Sequence, residues 1–191
     1  MTKLTESQIE EFAIGLFRRL GYEYIYGPDV APDGERPERG SFEEVILRGR
    51  LLKAVRRINS SIPHDVQEEA IKTVARIASP DQLANNEEFH RLLTEGVPVT
   101  IHKEGAERGE RVWLVDFDYP EKNDFVVANQ FTIIENGHNK RPDIILFVNG
   151  LPLVVFELKN ATDEKATIQS AFRQIETYKQ MTPSLFTYNS L

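Results

Sequence analysis

The chain has 191 residues, of which 40% are hydrophobic and 28% are charged, and its formal net charge is −7. This balance predicts a single domain with a proper core. No segment approaches the roughly 18 apolar residues of a membrane span, and no secretory signal is visible. The chain contains no cysteine, which excludes disulfides and thiolate metal sites and fits a cytoplasmic location. The acidic balance argues against a general nucleic-acid coat, but carboxylates neutralised by divalent cations still allow a local DNA site.

The amino-terminal residues predict a capped helix. Thr5 and Gln8 have the spacing of a capping box, and apolar residues then recur with a helical period up to Gly21, which is expected to end the helix. Residues 27–40 are rich in proline, glycine and charge. They predict a long exposed loop, and such loops are often functional.

The next segment is also predicted to be helical. Ser41 and Glu44 suggest a second capping box that opens a helix to about residue 59. A third helix is expected between Pro63 and Ser79. Short helices are predicted in 81–94.

From Val97 the apolar period changes to two, which predicts strands. The candidate strands are 97–103, 111–118, 124–135, 142–148 and 151–159. A final amphipathic helix is predicted over about 164–180, and an extended segment near 184–189.

The helix predicted from Ser41 is basic in an otherwise acidic chain. Residues 41–60 contain five basic residues against two glutamates, hence +3. A solvated helix face is one interpretation, and phosphate contact with DNA is the other. The basic residues are Arg48, Arg50, Lys53, Arg56 and Arg57.

Residues 141–160 (RPDIILFVNGLPLVVFELKN) form the most informative segment. Two apolar strands flank an Asn149-Gly150 turn, and Asp143, Glu157 and Lys159 are the charged residues within them. Buried charges are costly unless they are paired or bound to a metal. The hairpin therefore predicts a cation site with an adjacent base.

The turn imposes a condition on that site. In a strict two-residue hairpin, Asp143 pairs with Phe156, and Glu157 then points to the opposite face. One metal can bind both carboxylates only if the register shifts by one residue or the strand bends. Pro152 lacks a ladder donor and, with Pro142, marks a place for a bulge.

These residue types suit phosphodiester hydrolysis. Mg²⁺ prefers hard oxygen ligands and activates a bound water. Asp143 and Glu157 can supply carboxylate oxygens, and the backbone carbonyl of Leu158 can add another. Lys159 can orient or deprotonate the water if burial lowers its pKa more than the carboxylates raise it.

Asp143 after a proline, followed fourteen positions later by Glu157-x-Lys159, resembles the PD-(D/E)xK nuclease signature. The longer string is similar to the amino-terminal nuclease domain of the R (restriction) subunit of type I restriction–modification enzymes. Gln174-x-x-x-Tyr178 also resembles that family's Q-x-x-x-Y motif. The opening helix resembles the family's start, with Glu10 at the position of its helix acid.

The resemblance implies an α/β fold of the restriction-endonuclease type, with a mixed sheet flanked by helices. Residues 1–191 would form one nuclease domain. Its parts would be a core helix and lead-out in 1–26, a loop and helical subdomain in 27–96, and the catalytic sheet and its flanking helix in 97–191. Asp143, Glu157 and Lys159 would be catalytic, with Mg²⁺ held by the two carboxylates.

The same resemblance implies roles for three further side chains. Glu10 would lie near the site, although a solvent-facing helix acid is the alternative. Gln174 and Tyr178, one helical turn apart, would support Lys159 or touch DNA. The alternative for this pair is the polar edge of a helix.

Other chemistries find little support in the sequence. The histidines lack zinc-binding spacing, there is no nucleophile elbow, and no phosphate-binding GxxxxGK[ST] motif occurs. Asp116 and Asp118 form a second acidic pair, interpreted as the solvent face or end of a strand.

R subunits of this type are longer than this chain, so the resemblance implies a fragment that lacks the ATPase motor. The expected function is Mg²⁺-dependent cleavage of double-stranded DNA after ATP-driven translocation, in a complex with methylation and specificity subunits. Little or no cutting is expected of the fragment alone. The competing hypotheses are a catalytically silent domain that binds DNA or partner subunits, and a related nuclease of DNA repair or recombination.

Overall fold

The computed structural model describes residues 5–103, 105–159 and 168–189. In these ranges the helices are α1 Glu6–Arg19, α2 Arg48–Ile58, α3 His64–Ala75, α4 Gln82–Glu95, α5 Ile168–Met181 and α6 Pro183–Thr187. The strands are β1 Glu23–Tyr26, β2 Val97–Lys103, β3 Ala106–Val112, β4 Phe125–Asn129, β5 Ile133–Glu135, β6 His138–Lys140, β7 Ile144–Val148 and β8 Leu151–Phe156.

The central sheet has the strand order β1-β4-β7-β8. Strand β1 runs parallel to β4, whereas β4, β7 and β8 pair antiparallel. Two-stranded sheets are formed by β2 with β3 and by β5 with β6. This arrangement confirms the predicted α/β class with a mixed sheet flanked by helices.

Side chains alternate between the two faces of the central sheet, and each face is covered by different helices. On one face, α1 packs its Ala13, Ile14 and Phe17 against a small cluster around Val127 and Ile144. The other face belongs to the main core, which includes residues of α2, α3, α4 and α5. The inner part of the sheet is therefore buried on both sides, which explains the almost uninterrupted apolar sequences of β4, β7 and β8.

The turn between β7 and β8 has the predicted backbone. Asn149 and Gly150 have φ angles of 53° and 82°, as a type I′ turn requires. Gly150 also has no room for a side chain, because a Cβ there would lie 2.5 Å from the Leu47 carbonyl oxygen. The turn is thus pressed against the start of α2.

The predicted irregularity is present in β8. Leu146 pairs with Val154, whereas the next residue, Phe147, pairs with Pro152. Leu153 is therefore the extra residue of a β-bulge beside the proline. Beyond the bulge Ile144 pairs with Phe156, so the register has shifted by one residue.

The first helix is confirmed, and the start of the second was wrongly predicted. Thr5 and Gln8 form both hydrogen bonds of the capping box. Ser41 does not begin a helix, because α2 starts at Arg48. The segment before it is irregular and ends in three buried residues, Val45–Leu47, and the Leu47 amide donates to the Gly150 carbonyl at 2.9 Å. Tertiary packing of this apolar segment against the turn outweighs the local capping signal.

Several other boundaries also differ from the predictions. The strand expected in 111–118 is displaced, since β3 ends at Val112 to pair with β2. The strand expected in 124–135 is broken at Gln130, whose φ is 53°. Residues 184–189 contain helix α6 instead of an extended segment. One helix, α4, replaces the short helices of 81–94.

The loop of residues 27–40 is less exposed than predicted. Val30 and Ala31 are buried, as is Arg39. The beginning of the predicted final helix, residues 164–167, lies outside the described residues. Among the described helices, none is both long and apolar enough to cross a membrane.

Candidate active site

The bulge brings Asp143 and Glu157 opposite one another. Because Ile144 pairs with Phe156, the next positions outward are Asp143 on one strand and Glu157 on the other. Directly opposed residues share a face of a sheet. The condition set by the sequence, that Asp143 must lie on the face of Glu157, is met at the end of the hairpin far from its turn.

Asp143 is half-buried and tied to the neighbouring strand. Its Oδ2 accepts a hydrogen bond of 2.6 Å from the Leu158 amide. Burial raises the pKa of Asp143 to about 6, and the charges of Glu157 and Glu10 act in the same direction. The Leu158 hydrogen bond and the Lys159 charge oppose this rise without cancelling it. The carboxylate therefore lies where a cation would stabilise it.

Glu157, Lys159, Gln174 and Tyr178 form a closed ring of hydrogen bonds. Lys159 Nζ donates to Glu157 Oε1 at 2.6 Å and to Gln174 Oε1 at 2.9 Å. Gln174 Nε2 donates to the Tyr178 hydroxyl at 2.8 Å, and that hydroxyl donates to Glu157 Oε2 at 3.3 Å. The two residues predicted on the final helix thus contact the predicted acid and lysine.

The surroundings of Lys159 and Tyr178 keep both side chains protonated. Burial lowers the pKa of Lys159, but the hydrogen bond and charge of Glu157, with the charge of Asp143, outweigh it and leave that pKa above its usual value. Burial raises the pKa of Tyr178 to about 12. At neutral pH, Lys159 is consequently an ammonium and Tyr178 a neutral donor. The sequence left open whether burial or the carboxylates dominate the pKa of Lys159, and in the structure the carboxylates do.

Glu10 approaches the site from α1. Its Oε1 accepts a hydrogen bond of 2.6 Å from Asn129 Nδ2, and its side chain is partly buried. Glu10 is also close enough to Asp143 to raise the pKa of that carboxyl. Asn129 was missed by the sequence interpretation. The feature of the sequence that could have indicated it is a polar amide at the end of the apolar run FVVAN.

The donor set suits a hard divalent cation. Asp143 and Glu157 offer carboxylate oxygens on adjacent strands, and Leu158 lies between Glu157 and Lys159. Mg²⁺ binds through one or two carboxylates and keeps several waters. The described residues contain no group of three or more His, Cys, Asp or Glu side chains arranged to hold a metal.

Helix α2 begins at the other end of the hairpin. The Leu47 amide bonds to Gly150, so the start of α2 lies at the turn. Asn149 and Asp143 are six positions apart, about 20 Å at the usual rise of a strand. Arg50, whose Cβ lies close to Gly150, therefore cannot contact the same phosphate as Asp143.

Most of the basic side chains of α2 also have protein partners. Arg50 is 15% exposed and makes salt bridges with Glu23, Glu38 and Asp124. Its surroundings give no support to the prediction that Arg50 binds phosphate. The other contacts are Arg48 with Glu44, Arg56 with Glu68 and Arg57 with the Lys122 carbonyl. Lys53 borders the same surface as Arg50, and its phosphate contact stays a prediction.

The second acidic pair is part of a turn. Asp116 accepts hydrogen bonds from the amides of Asp118 and Tyr119 and pairs with Lys122. It lies beyond β3, so the two acids do not alternate along a strand. This contact pattern is that of a turn-forming aspartate.

Comparison with known proteins gives a consistent family. Residues 3–191 match the family model described as the type I restriction enzyme R protein N terminus. The chain is 40% identical, over 187 residues, to the type I restriction enzyme HindI endonuclease subunit of Haemophilus influenzae. It is 35% identical, over 190 residues, to a Methanocaldococcus jannaschii protein provisionally named the MjaIXP type I restriction enzyme endonuclease subunit. Each alignment covers 97% of this chain and 18% of the relative's length.

Proposed function

The chain belongs to the family of type I restriction enzyme R protein N termini, and from this membership we propose that it is an Mg²⁺-dependent endonuclease domain that hydrolyses DNA phosphodiester bonds. One observation carries the proposal. The bulge in β8 aligns Asp143 with Glu157, and Lys159 is held beside them by Gln174. An apolar hairpin has no structural need for this set of charges.

Asp143, Glu157 and the Leu158 carbonyl would hold the cation. When bound, Mg²⁺ supplies an activated water and stabilises the anionic transition state. Both oxygens of Glu157 already accept hydrogen bonds, yet a carboxylate has about four lone-pair positions and can accept a further partner. Asp143 Oδ2 is held by the Leu158 amide, which orients the other oxygen, Oδ1.

Lys159 acts as a positioned cation in this mechanism. Among the described residues its ammonium donates to Glu157 and Gln174, and the third of its three donors can serve a phosphate oxygen or the attacking water. Gln174 keeps the nitrogen in place. A role as general base requires the charges of Glu157 and Asp143 to be offset, since they raise the Lys159 pKa.

The wider activity belongs to the same proposal. The chain spans 18% of the length of the two relatives named above, and those relatives are named endonuclease subunits. We assign ATP use and DNA translocation to regions that this chain does not match. DNA delivery would depend on assembly with methylation and specificity subunits. A cytoplasmic location follows, because the DNA and ATP that such an enzyme needs are found there.

The decisive test is Lys159→Ala in the assembled restriction enzyme, with Lys179→Ala as the control. Lys179 is on the same helix as Gln174 and pairs with Glu176 on the surface. We expect Lys159→Ala to slow DNA cleavage by about 100-fold or more, with ATP hydrolysis unchanged. Lys179→Ala should cut as the wild type does. Undiminished cutting by Lys159→Ala would refute the catalytic role.

A catalytically silent domain that binds DNA or partner subunits is the second candidate. The observation that favours it is the hydrogen-bonded ring, which satisfies both Glu157 oxygens without a cation. A silent domain predicts unchanged DNA cleavage in the Lys159→Ala enzyme, whereas the nuclease proposal predicts slower cleavage. A related repair or recombination nuclease is disfavoured, because the family match covers residues 3–191.

A further inference from the structure

A buried amide links the edge of the sheet to the acid of α1. Asn129, the last residue of β4, is 8% exposed. Its Nδ2 donates to Glu10 Oε1 at 2.6 Å, and its Oδ1 accepts from the Tyr24 hydroxyl at 2.9 Å. Three residues from different elements thereby form one chain of hydrogen bonds that leads to the site.

The chemistry of the partners fixes the direction of this chain. A carboxylate only accepts, so Glu10 must face the amide nitrogen of Asn129. The amide oxygen then points the other way and needs a donor, which the Tyr24 hydroxyl provides. Without that hydroxyl, the amide oxygen would lose its donor, and one of the two contacts that favour this orientation over a rotated one would be gone.

The backbone of Asn129 is equally constrained. It pairs with Tyr26 on one side and Ile144 on the other, and its carbonyl accepts from the Gly27 amide at 2.9 Å. Gly27 approaches so closely that a Cβ would lie 2.6 Å from the Gln130 carbonyl carbon. The amide is therefore presented from a rigid support.

We propose that Asn129 is a positioning residue that holds Glu10 at the cation site of Asp143 and Glu157, and that Tyr24 fixes the orientation of the Asn129 amide. This inference rests on the proposed function. Three carboxylates repel one another, and a glutamate on a surface helix is free to rotate into solvent. The short hydrogen bond to Asn129 keeps one Glu10 oxygen in place and leaves the other for a water bound to the cation.

The structure offers a matched pair of variants. Tyr24 and Tyr26 lie two residues apart on the edge strand β1, so they project to the same side, and both are exposed. The hydroxyl of Tyr24 donates to Asn129, whereas Tyr26 has no such side-chain hydrogen bond among the described residues. Tyr24→Phe and Tyr26→Phe each remove one hydroxyl from the same surface.

The measurement is Mn²⁺ binding by the 191-residue chain, followed by electron paramagnetic resonance above pH 7. Mn²⁺ takes the same oxygen ligands as Mg²⁺. Residues that orient metal ligands typically change affinity by about 10-fold to 100-fold. We expect Asn129→Ala to weaken Mn²⁺ binding by about 10-fold to 100-fold and Tyr24→Phe to weaken it by about 3-fold to 10-fold. Tyr26→Phe should bind as the wild type does.

A double variant separates positioning from general stability. If Tyr24 acts through Glu10, then Glu10→Ala with Tyr24→Phe should bind Mn²⁺ no more weakly than Glu10→Ala alone. Additive losses would indicate a structural effect and overturn the inference, as would equal affinities for Tyr24→Phe and Tyr26→Phe. Asp143→Asn tests the underlying function: unchanged binding in that variant, or no binding by the wild type at millimolar Mn²⁺, overturns both.

Discussion

Replacing Asp143 by asparagine should stabilise the metal-free chain while it removes cation binding. Asparagine keeps an oxygen that can accept the Leu158 amide and removes a charge that is disfavoured by burial. A pKa change from 3.8 to about 6 corresponds to at most about 3 kcal/mol at roughly 1.4 kcal/mol per unit. Because the side chain is only half-buried, solvent screening reduces this value, and we expect about 1 kcal/mol.

The pH dependence provides the sharper part of this prediction. The folded chain holds a proton on Asp143 up to about pH 6, whereas the unfolded chain releases it near 3.8. The group therefore adds stability at low pH that is lost as the pH rises through 6. The Asp143→Asn variant should be more stable than the wild type at pH 7.5 and should lose most of that advantage by pH 4.5.

Urea denaturation with a chelator present measures both effects, with the exposed Asp118→Asn as the control. Asp118→Asn should change the unfolding free energy by less than about 0.5 kcal/mol at either pH. Added Mg²⁺ should stabilise the wild type by mass action and leave Asp143→Asn unaffected. A wild type that is more stable than Asp143→Asn at pH 7.5 without metal would refute the assignment of Asp143 as a destabilised ligand.

Two further predictions concern stability and use paired variants. Asn149→Ala should lower the free energy of unfolding by about 3 kcal/mol, and Asn136→Ala by about 1 kcal/mol. Both residues have φ above 50°, but only Asn149 is buried, where its side chain donates to the Leu114 carbonyl. Equal urea midpoints for the two variants would contradict this prediction. Arg39→Ala should lower the free energy of unfolding by about 2 kcal/mol, because the buried guanidinium lies 3.8 Å from the centroid of the Phe131 ring. Arg36→Ala at the surface should change the free energy of unfolding by less than about 0.5 kcal/mol. A calorimetric scan that ranks Arg36→Ala as the worse variant would exclude this role for Arg39.

The hairpin was predictable because its constraints are local. The Asn149-Gly150 turn fixes one pair of residues, and strand geometry fixes every pair beyond it. A metal shared by Asp143 and Glu157 then required a shift of the register by one residue, and Pro152 indicated where. The structure places the extra residue at Leu153, next to that proline. Each step used interactions between residues fewer than twenty positions apart.

The errors arose where distant contacts decide the local structure. Ser41 and Glu44 have capping-box spacing, but Glu44 instead accepts from the Gly40 amide. The apolar residues that follow are buried against the β7–β8 turn, about a hundred positions later in the chain. Asn129 was missed for the same reason. Its partners Tyr24 and Glu10 are 105 and 119 residues away, and a sequence pattern carries no record of such pairs.

The separation of charge in the fold bears on how DNA reaches the site. Helix α2 begins at the turn, and its Arg50 makes salt bridges with three carboxylates. At the other end of the hairpin, Glu157 and Glu10 raise the Asp143 pKa and Lys159 alone among the interacting charges lowers it. A phosphate that approached without a cation would meet three acids, Asp143 among them, and one base. Under the proposed function, we therefore expect a cation to bind before or together with DNA at this end, and we expect affinity for the duplex to come from other surfaces. This is the electrostatic reason to expect little cutting by this chain alone.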